Sequence, residues 1–219
     1  PRITDKAKLL KEITYDEMLE MASTGARVLM ARSVEFGRRY NVPIIVRPTF
    51  SDGMGTTVKE QVMEQAIVSG VTHNDKEIKF TLFGVPDQPG IAGSVFGHLS
   101  DKGVNVDMIV QNVSKDSKTD ISFTAPEEQK DEVMEILLHL TQDLKAEGSD
   151  KDENIARVSI IGAGMKSESG VASKMFKTLG SNEINIGMIS TSPIRISCVI
   201  SKNDMQKAIE VLHDEFIID

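Results

Sequence analysis

The 219-residue sequence contains one cysteine, Cys198, set in the apolar run from Ile196 to Ile200. A lone thiol cannot close an intrachain disulfide, and so little cysteine suits a reducing compartment, so a cytoplasmic location is expected. Nothing in the chain approaches the roughly 18 to 20 consecutive apolar residues of a membrane span. The opening Pro1-Arg2-Ile3-Thr4-Asp5-Lys6 lacks the apolar core of a signal peptide. An initiating methionine is also missing, which leads us to expect a processed, truncated or fragmentary chain. Positive charge is in short supply, with 25 Lys and Arg against 33 Asp and Glu and a net charge of -8. Neutralising phosphates takes clustered cations, so neither nucleic acid nor an anionic membrane is an expected partner. The four histidines, His73, His98, His139 and His213, are scattered and share no ligand spacing with Cys198, so no metal is expected. No acid–base pair or activated nucleophile stands out, and Cys198 among apolar neighbours reads as a core residue.

What is present is ample apolar content, 40% of residues, enough to bury one large core or two small ones. Thr14 followed by Glu17 forms a capping-box signature and predicts a helix start. Met18, Leu19, Ala22, Ala26 and Leu29 keep a roughly helical spacing with Gly25 as a weak point, and a second helical run covers Ser33 to Tyr40. Val42 to Val46 suits a buried strand, and Ser51 to Gly55 is rich in turn residues. Two helices and a strand without hairpin alternation read as the edge of a larger α/β domain.

From Ala66 the pattern becomes strands alternating with helices. Strands are predicted at Ile67 to His73, Ile78 to Val85, Val106 to Val113 and Ile121 to Thr124, with helices over Ile91 to Lys102 and Glu128 to Leu144. The polar stretch Lys145 to Asn154 predicts a linker. A strand over Val158 to Gly162, a helix over Val171 to Leu179, strands at Gly187 to Ser190 and Ile194 to Ile200, and a helix over Asp204 to Phe216 complete the chain.

The second series repeats the first. An ungapped shift of eighty residues places Gly90-Ile91-Ala92 on Gly170-Val171-Ala172, Phe96 on Phe176, and Leu99 on Leu179. It also places Asn105-Val106 on Asn185-Ile186 and Met108-Ile109 on Met188-Ile189. Core packing accounts for the apolar matches, Met108 and Met188 included; the paired glycines and asparagines contribute little apolar area and point elsewhere. Each unit supplies strand, helix, strand, strand, helix, one strand short of a ferredoxin-like βαββαβ layer. Ile67 to His73 is the obvious donor to the second unit, which makes the first module an insertion in the second. Part of Lys145 to Asn154 is available to close the first sheet, against its poor strand propensity.

Val85-Pro86-Asp87-Gln88-Pro89-Gly90, Asn105 through Val113 and Ile189-Ser190-Thr191-Ser192 resemble the tandem ACT regulatory domains of the aspartate kinase family. Pro1-Arg2-Ile3, Tyr15 through Ala22 and Arg32 through Phe36 resemble the closing segment of that family's amino acid kinase domain. The resemblance covers essentially the whole chain. It implies an α/β (α+β) fold of two βαββαβ ACT modules, the first inserted in the second, preceded by a remnant of an α/β kinase domain. The expected division is a kinase remnant over 1–63, module 1 over 77–150, and module 2 over 64–76 plus 153–219. It implies an enzyme that phosphorylates aspartate from ATP with Mg, inhibited by lysine, threonine or both. No catalytic residue or cofactor is expected within this chain, whose partners are the amino acid effectors, a catalytic kinase lobe or subunit, and a second copy paired through the ACT modules. The rival expectation is a stand-alone amino acid sensor acting on another partner.

An amino acid site must satisfy a carboxylate and an ammonium together. In module 1 the helix led by Gly90 offers free NH groups at Ile91 and Ala92, and Asp87 offers a carboxylate to the ammonium. Asn105, Val106, Asp107 and Gln111 lie on or near the facing strand; Asp87 also fits a turn position, Asn105 a loop cap and Gln111 a solvent-facing position. In module 2 the candidates are Ala172, Asn185, Ile186 and Ser192, after a loop from Met165 to Gly170 with no direct match to Asp87. Where the family commonly has an acid after Ser-Thr-Ser, Pro193 stands here, which leaves the effector's identity open. Module 1 is therefore the expected binding module. Arg2 resembles part of the family's nucleotide site and also fits an exposed terminal arginine.

Overall fold

The computed structural model describes residues 3–50, 52–62, 66–113 and 117–217. They form two compact units, one of residues 1–74 and 156–219 and the other of residues 75–155.

The first unit begins with a small sheet. Strand β1 (Glu12–Thr14) runs parallel to β3 (Thr56–Lys59), and β3 pairs antiparallel with β2 (Ile44–Val46). The expectation of one strand here falls short by two, because β1 and β3 are too brief to show a period of two. Helix α1 (Tyr15–Ser23) starts at the capping box foreseen from sequence: Glu17 N donates to Thr14 Oγ1 at 3.2 Å and Thr14 N donates to the Glu17 carboxylate at 3.1 Å. Rather than continuing toward Leu29, α1 stops at Ser23. Gly25 takes a left-handed φ of 109°, and Ala26 N returns to Met21 O at 2.9 Å, closing the six-residue C-terminal loop that glycine favours. Helix α2 (Ala31–Arg39) follows. Ile13, Tyr15, Met18, Met21, Val34, Val58 and the more distant Ile161 share one buried core.

In the same unit β4 (Gly70–Asn74) pairs antiparallel with β9 (Ile155–Ile161), Gly70 opposite Ile161 and Asn74 opposite Arg157. With β10 (Met188–Ser192) and β11 (Arg195–Ser201) the sheet order is β10-β11-β9-β4. Helices α5 (Val171–Ser181) and α6 (Met205–Phe216) cover one face, packing Met175, Leu179, Ala208, Ile209 and Leu212 onto Val158, Ile160 and Ile196. The other face meets α1, where Thr24 Oγ1 lies 2.7 Å from Thr72 Oγ1. Every residue of β9 is buried, as expected of a strand covered on both sides.

The second unit holds β5 (Glu77–Pro86), α3 (Ile91–Asp101), β6 (Ile109–Val113), β7 (Lys118–Pro126), α4 (Lys130–Asp143) and β8 (Gly148–Asp152). Its sheet order is β6-β7-β5-β8. The predicted linker over Lys145 to Asn154 is thus in part a strand, with Phe83 opposite Gly148 and Lys79 opposite Asp152. It occupies a sheet edge, where polar side chains face solvent without cost and backbone pairing to β5 overrides weak propensity. Val133, Ile136, Leu137 and Leu140 form the apolar stripe of α4, each at most 8% exposed. Phe123 stacks on Phe80 and meets Phe96 edge to face beneath them.

The two sheets share one plan. Strand β4 holds in the second module the edge position that β8 holds in the first, so the first module is inserted in the second. Among the described residues no helix is long and apolar enough to cross a membrane.

Candidate functional site

Both modules open their first helix on a left-handed glycine. Gly90 has φ 96° before α3 and Gly170 has φ 89° before α5. No atom lies within 4 Å of a Cβ built on either, so conformation and not crowding calls for glycine. Neither helix start is capped by a side chain, which leaves first-turn NH groups available to an anion, although Ile91 N, expected to be free, donates to Gln88 O at 3.3 Å.

The surroundings of the two helix starts differ. In module 1, Asp87, Gly90, Asn105, Asp107 and Gln111 are exposed, and Ile91 and Val106 pack partly onto the core. Ala92 is half-buried, Asp87 N bonds Ser117 O at 2.8 Å and Asp107 N bonds Thr124 O at 3.1 Å. In module 2, a cavity of about 430 Å³ opens at the start of α5. Lys166, Glu168, Gly170, Ala172, Thr191 and Ser192 line it, so two of the four module 2 candidates, Ala172 and Ser192, come together there. Asn185 is exposed, and Ile186 packs on the core, outside that lining. Arg2 lies outside the described residues.

The cavity joins groups of both signs. Lys166 and the α5 NH groups supply donors of the kind a carboxylate needs; Glu168 and the hydroxyls of Thr191 and Ser192 supply acceptors of the kind an ammonium needs. Glu168 went unnoticed in the sequence because a strict eighty-residue shift sets Ser167 against Asp87; the acid stands one position later. The rim is built from two segments. A 3₁₀ turn, Ala163–Lys166, forms one side, and the bend from β10 into β11 forms the other, joined by Gly162 N donating to Ile194 O at 3.0 Å.

Two carboxylates from α1 reach this rim, and sequence reasoning assigned neither to it. Glu17, 3% exposed, accepts from Ala163 N at 2.9 Å and Ser69 Oγ at 2.5 Å, as well as from Thr14. Burial alone raises its pKa, but the hydrogen bonds from Ser69, Ala163 and Thr14 outweigh this and hold the carboxyl below the usual range. Glu20 pairs with Arg195 Nη1 at 3.0 Å and accepts from Ser192 Oγ at 3.3 Å. Arg195 Nε is buried without a partner, which leaves the guanidinium dependent on Glu20.

Cys198 is fully buried, and burial pushes its thiol up to about 12. A native chain at about pH 8 should therefore leave a disulfide reagent such as dithiobisnitrobenzoate unreacted until denaturant is added, because the thiolate is the attacking form. Rapid native labelling would contradict a core role for this residue. Among the described residues no group of three or more His, Cys, Asp or Glu is placed to hold a metal ion.

An ACT domain model matches residues 81–139 and 158–216, and an amino acid kinase family model matches residues 1–48. An aspartokinase of Pseudomonas aeruginosa is 46% identical over 223 residues, covering 100% of this chain and 54% of that protein. The chain thus spans about half the length of the relatives it matches. The ligand-free regulatory subunit of the Thermus thermophilus aspartate kinase is 37% identical with a TM-score of 0.65, covering 68% of this chain and 99% of that one. Aspartokinase III of E. coli, in complex with lysine and aspartate, shares the fold at a TM-score of 0.80 and 23% identity, over 100% of this chain and 48% of that one.

Proposed function

The chain belongs to the ACT domain family, in the tandem arrangement of its aspartokinase relatives, and we propose that it is the regulatory portion of an aspartate kinase. The activity is transfer of the γ-phosphoryl of ATP to the side-chain carboxylate of L-aspartate, with lysine, threonine or both as feedback effectors. The observation that carries this reading is the module 2 cavity, where a helix N-terminus, Lys166, Glu168 and two hydroxyls meet around a space suited to one amino acid. The α-carboxylate sits at the NH groups of Val171 and Ala172 and near Lys166; the ammonium faces Glu168 and Ser192. Module 1, with Asp87 beside its own helix start, supplies a second and more open half-site. The proposed division is a kinase segment over 1–63, module 1 over 77–150, and module 2 over 64–76 plus 153–219.

An effector here biases an equilibrium between active and inhibited kinase by no more than its differential affinity for the two states. ATP and Mg belong to the kinase portion; among the described residues no group of three or more His, Cys, Asp or Glu is placed to hold that metal. Edge strands β6 and β10 expose repeat-equivalent isoleucines, Ile109 at 53% and Ile189 at 44%, which favours pairing of modules between two copies. A free-standing sensor is the second reading, favoured by the Thermus regulatory subunit, which aligns along nearly its whole length. The kinase-like segment over 1–48 weighs for the first.

Titration calorimetry with L-lysine and L-threonine, singly and together, tests the proposal. Binding is expected, and Glu168→Ala should weaken it by on the order of tenfold through loss of a charge-assisted contact. Absence of heat with either amino acid or both together would sink the effector reading.

A further inference from the structure

Glu17 and Glu20 stand three residues apart on α1, a spacing that puts both on one side of the helix. Each holds a different rim of the cavity. Glu17 takes Ala163 N, where the 3₁₀ turn begins that runs on to Lys166. Glu20 takes Ser192 Oγ and the Arg195 guanidinium, at the two ends of the bend between β10 and β11. Both ties lie away from bulk water, with Glu17 3% exposed and the Arg195 and Glu20 side chains 16% and 23% exposed. Charge-assisted bonds so placed are stronger than surface ones and lapse when donor and acceptor separate by about 1 Å.

The rest of α1 faces the N-terminal segment. Met18 and Met21 pack with Ile13, Tyr15, Val34 and Val58 in one buried core, and Asp16 pairs with Arg38 of α2 at 2.8 Å. Any movement of either rim must carry α1 with it or break a buried carboxylate contact. The helix is itself part of residues 1–48, the segment matched by the amino acid kinase model, and joins the rest of that segment to the cavity rim.

We infer that α1 is the element of the kinase-like segment through which occupancy of the module 2 cavity is transmitted to the rest of that segment, with Glu17 and Glu20 as its two separate grips on the cavity rim. The inference rests on the reading of that cavity as an effector site and adds the route of regulation. Glu20 also sets the polarity of the site. With its proton given to Glu20, the Ser192 hydroxyl presents lone pairs to the cavity and accepts from a ligand ammonium. By reciprocity, the factor by which ligand shifts the equilibrium of the rest of the N-terminal segment is the factor by which that shift alters ligand affinity.

Hydrogen-exchange mass spectrometry of the 219-residue chain with L-lysine plus L-threonine, alongside calorimetry, decides the matter. In the wild type, ligand should slow exchange in α1 by about fivefold or more, the lower end of ordinary coupling. In Glu20→Ala, binding should weaken as Ser192 loses its orienting acceptor, but at saturating ligand it should still give heat and still slow exchange at the start of α5, while the slowing in α1 is lost. Glu20→Gln, which keeps an acceptor for Ser192 without the charge facing Arg195, should recover part of it. A purely structural Glu20 would alter exchange in α1 equally with and without ligand. Heat of binding with no change in α1 of the wild type, or with the same slowing in Glu20→Ala, overturns the inference and leaves the effector reading intact. No heat at all removes both.

Discussion

Replacing Glu17 with alanine is expected to cost the first unit about 3 kcal/mol, the range for breaking a buried set of charge-assisted hydrogen bonds and leaving their donors unpaired. Thr14 N, Ser69 Oγ and Ala163 N all lose their acceptor at once. The chain has no tryptophan, and its two tyrosines, Tyr15 and Tyr40, both lie in this unit, so tyrosine emission during urea unfolding reports on it alone. The carboxyl is held below its ordinary value in the folded state, so its contribution is complete above that ordinary value and disappears as pH falls through the folded one. The stability gap between wild type and Glu17→Gln should accordingly be full near neutrality and close below about pH 4.3. A gap that stays constant into acid, or an alanine variant as stable as wild type, would falsify this account of Glu17.

Gly25→Ala should be at least as damaging, for a different reason. At φ 109° an L side chain is strained, and the new Cβ would stand 2.1 Å from the carbonyl oxygen of His73, a backbone atom of β4 that cannot rotate away. Strain of roughly 1 to 2 kcal/mol adds to the cost of displacing β4, so a loss of more than about 3 kcal/mol is expected. For a chain of this size that corresponds to a fall in melting temperature of around 10 °C or recovery only as insoluble protein. Gly170→Ala is the control. It has a similar φ, but nothing lies within 4 Å, and it should cost only about 1 kcal/mol. Similar melting temperatures for the two variants would show that contact with β4 contributes nothing.

Local patterns in the sequence carried much of this architecture. The capping box of Thr14 and Glu17, the stripe of Val133, Ile136, Leu137 and Leu140, and the eighty-residue repeat each span few residues or repeat in plain view. Strand β8 was half legible: the first sheet called for a strand within Lys145 to Asn154, but Gly-Ser-Asp-Lys-Asp has no apolar alternation and takes its strand character from pairing to β5. The end of α1 was half legible, since Gly25 marked a weakness whose meaning depended on His73, far along the chain. At the candidate site, Ala172 and Ser192, read from the sequence as effector candidates, line one cavity, whereas Asp87, on which the emphasis on module 1 rested, is exposed, as is Glu168 at the module 2 cavity. Glu20 and Arg195 sit on segments separated by most of the chain, and neither belongs to a motif that could have joined them.

The borrowed edge strand sets an order of events for a nascent chain. Strand β4 emerges from synthesis about 85 residues before β9, the strand it pairs with among the described residues, so a high contact order is built into the second module. The inserted module, by contrast, carries all four of its strands between residues 77 and 152 and can close while β4 still waits. Until β9 arrives, β4 is an open edge, exposed to mispairing and in need of protection. The module in the middle of the sequence is thus placed to finish first, and the one that encloses it in sequence to finish last.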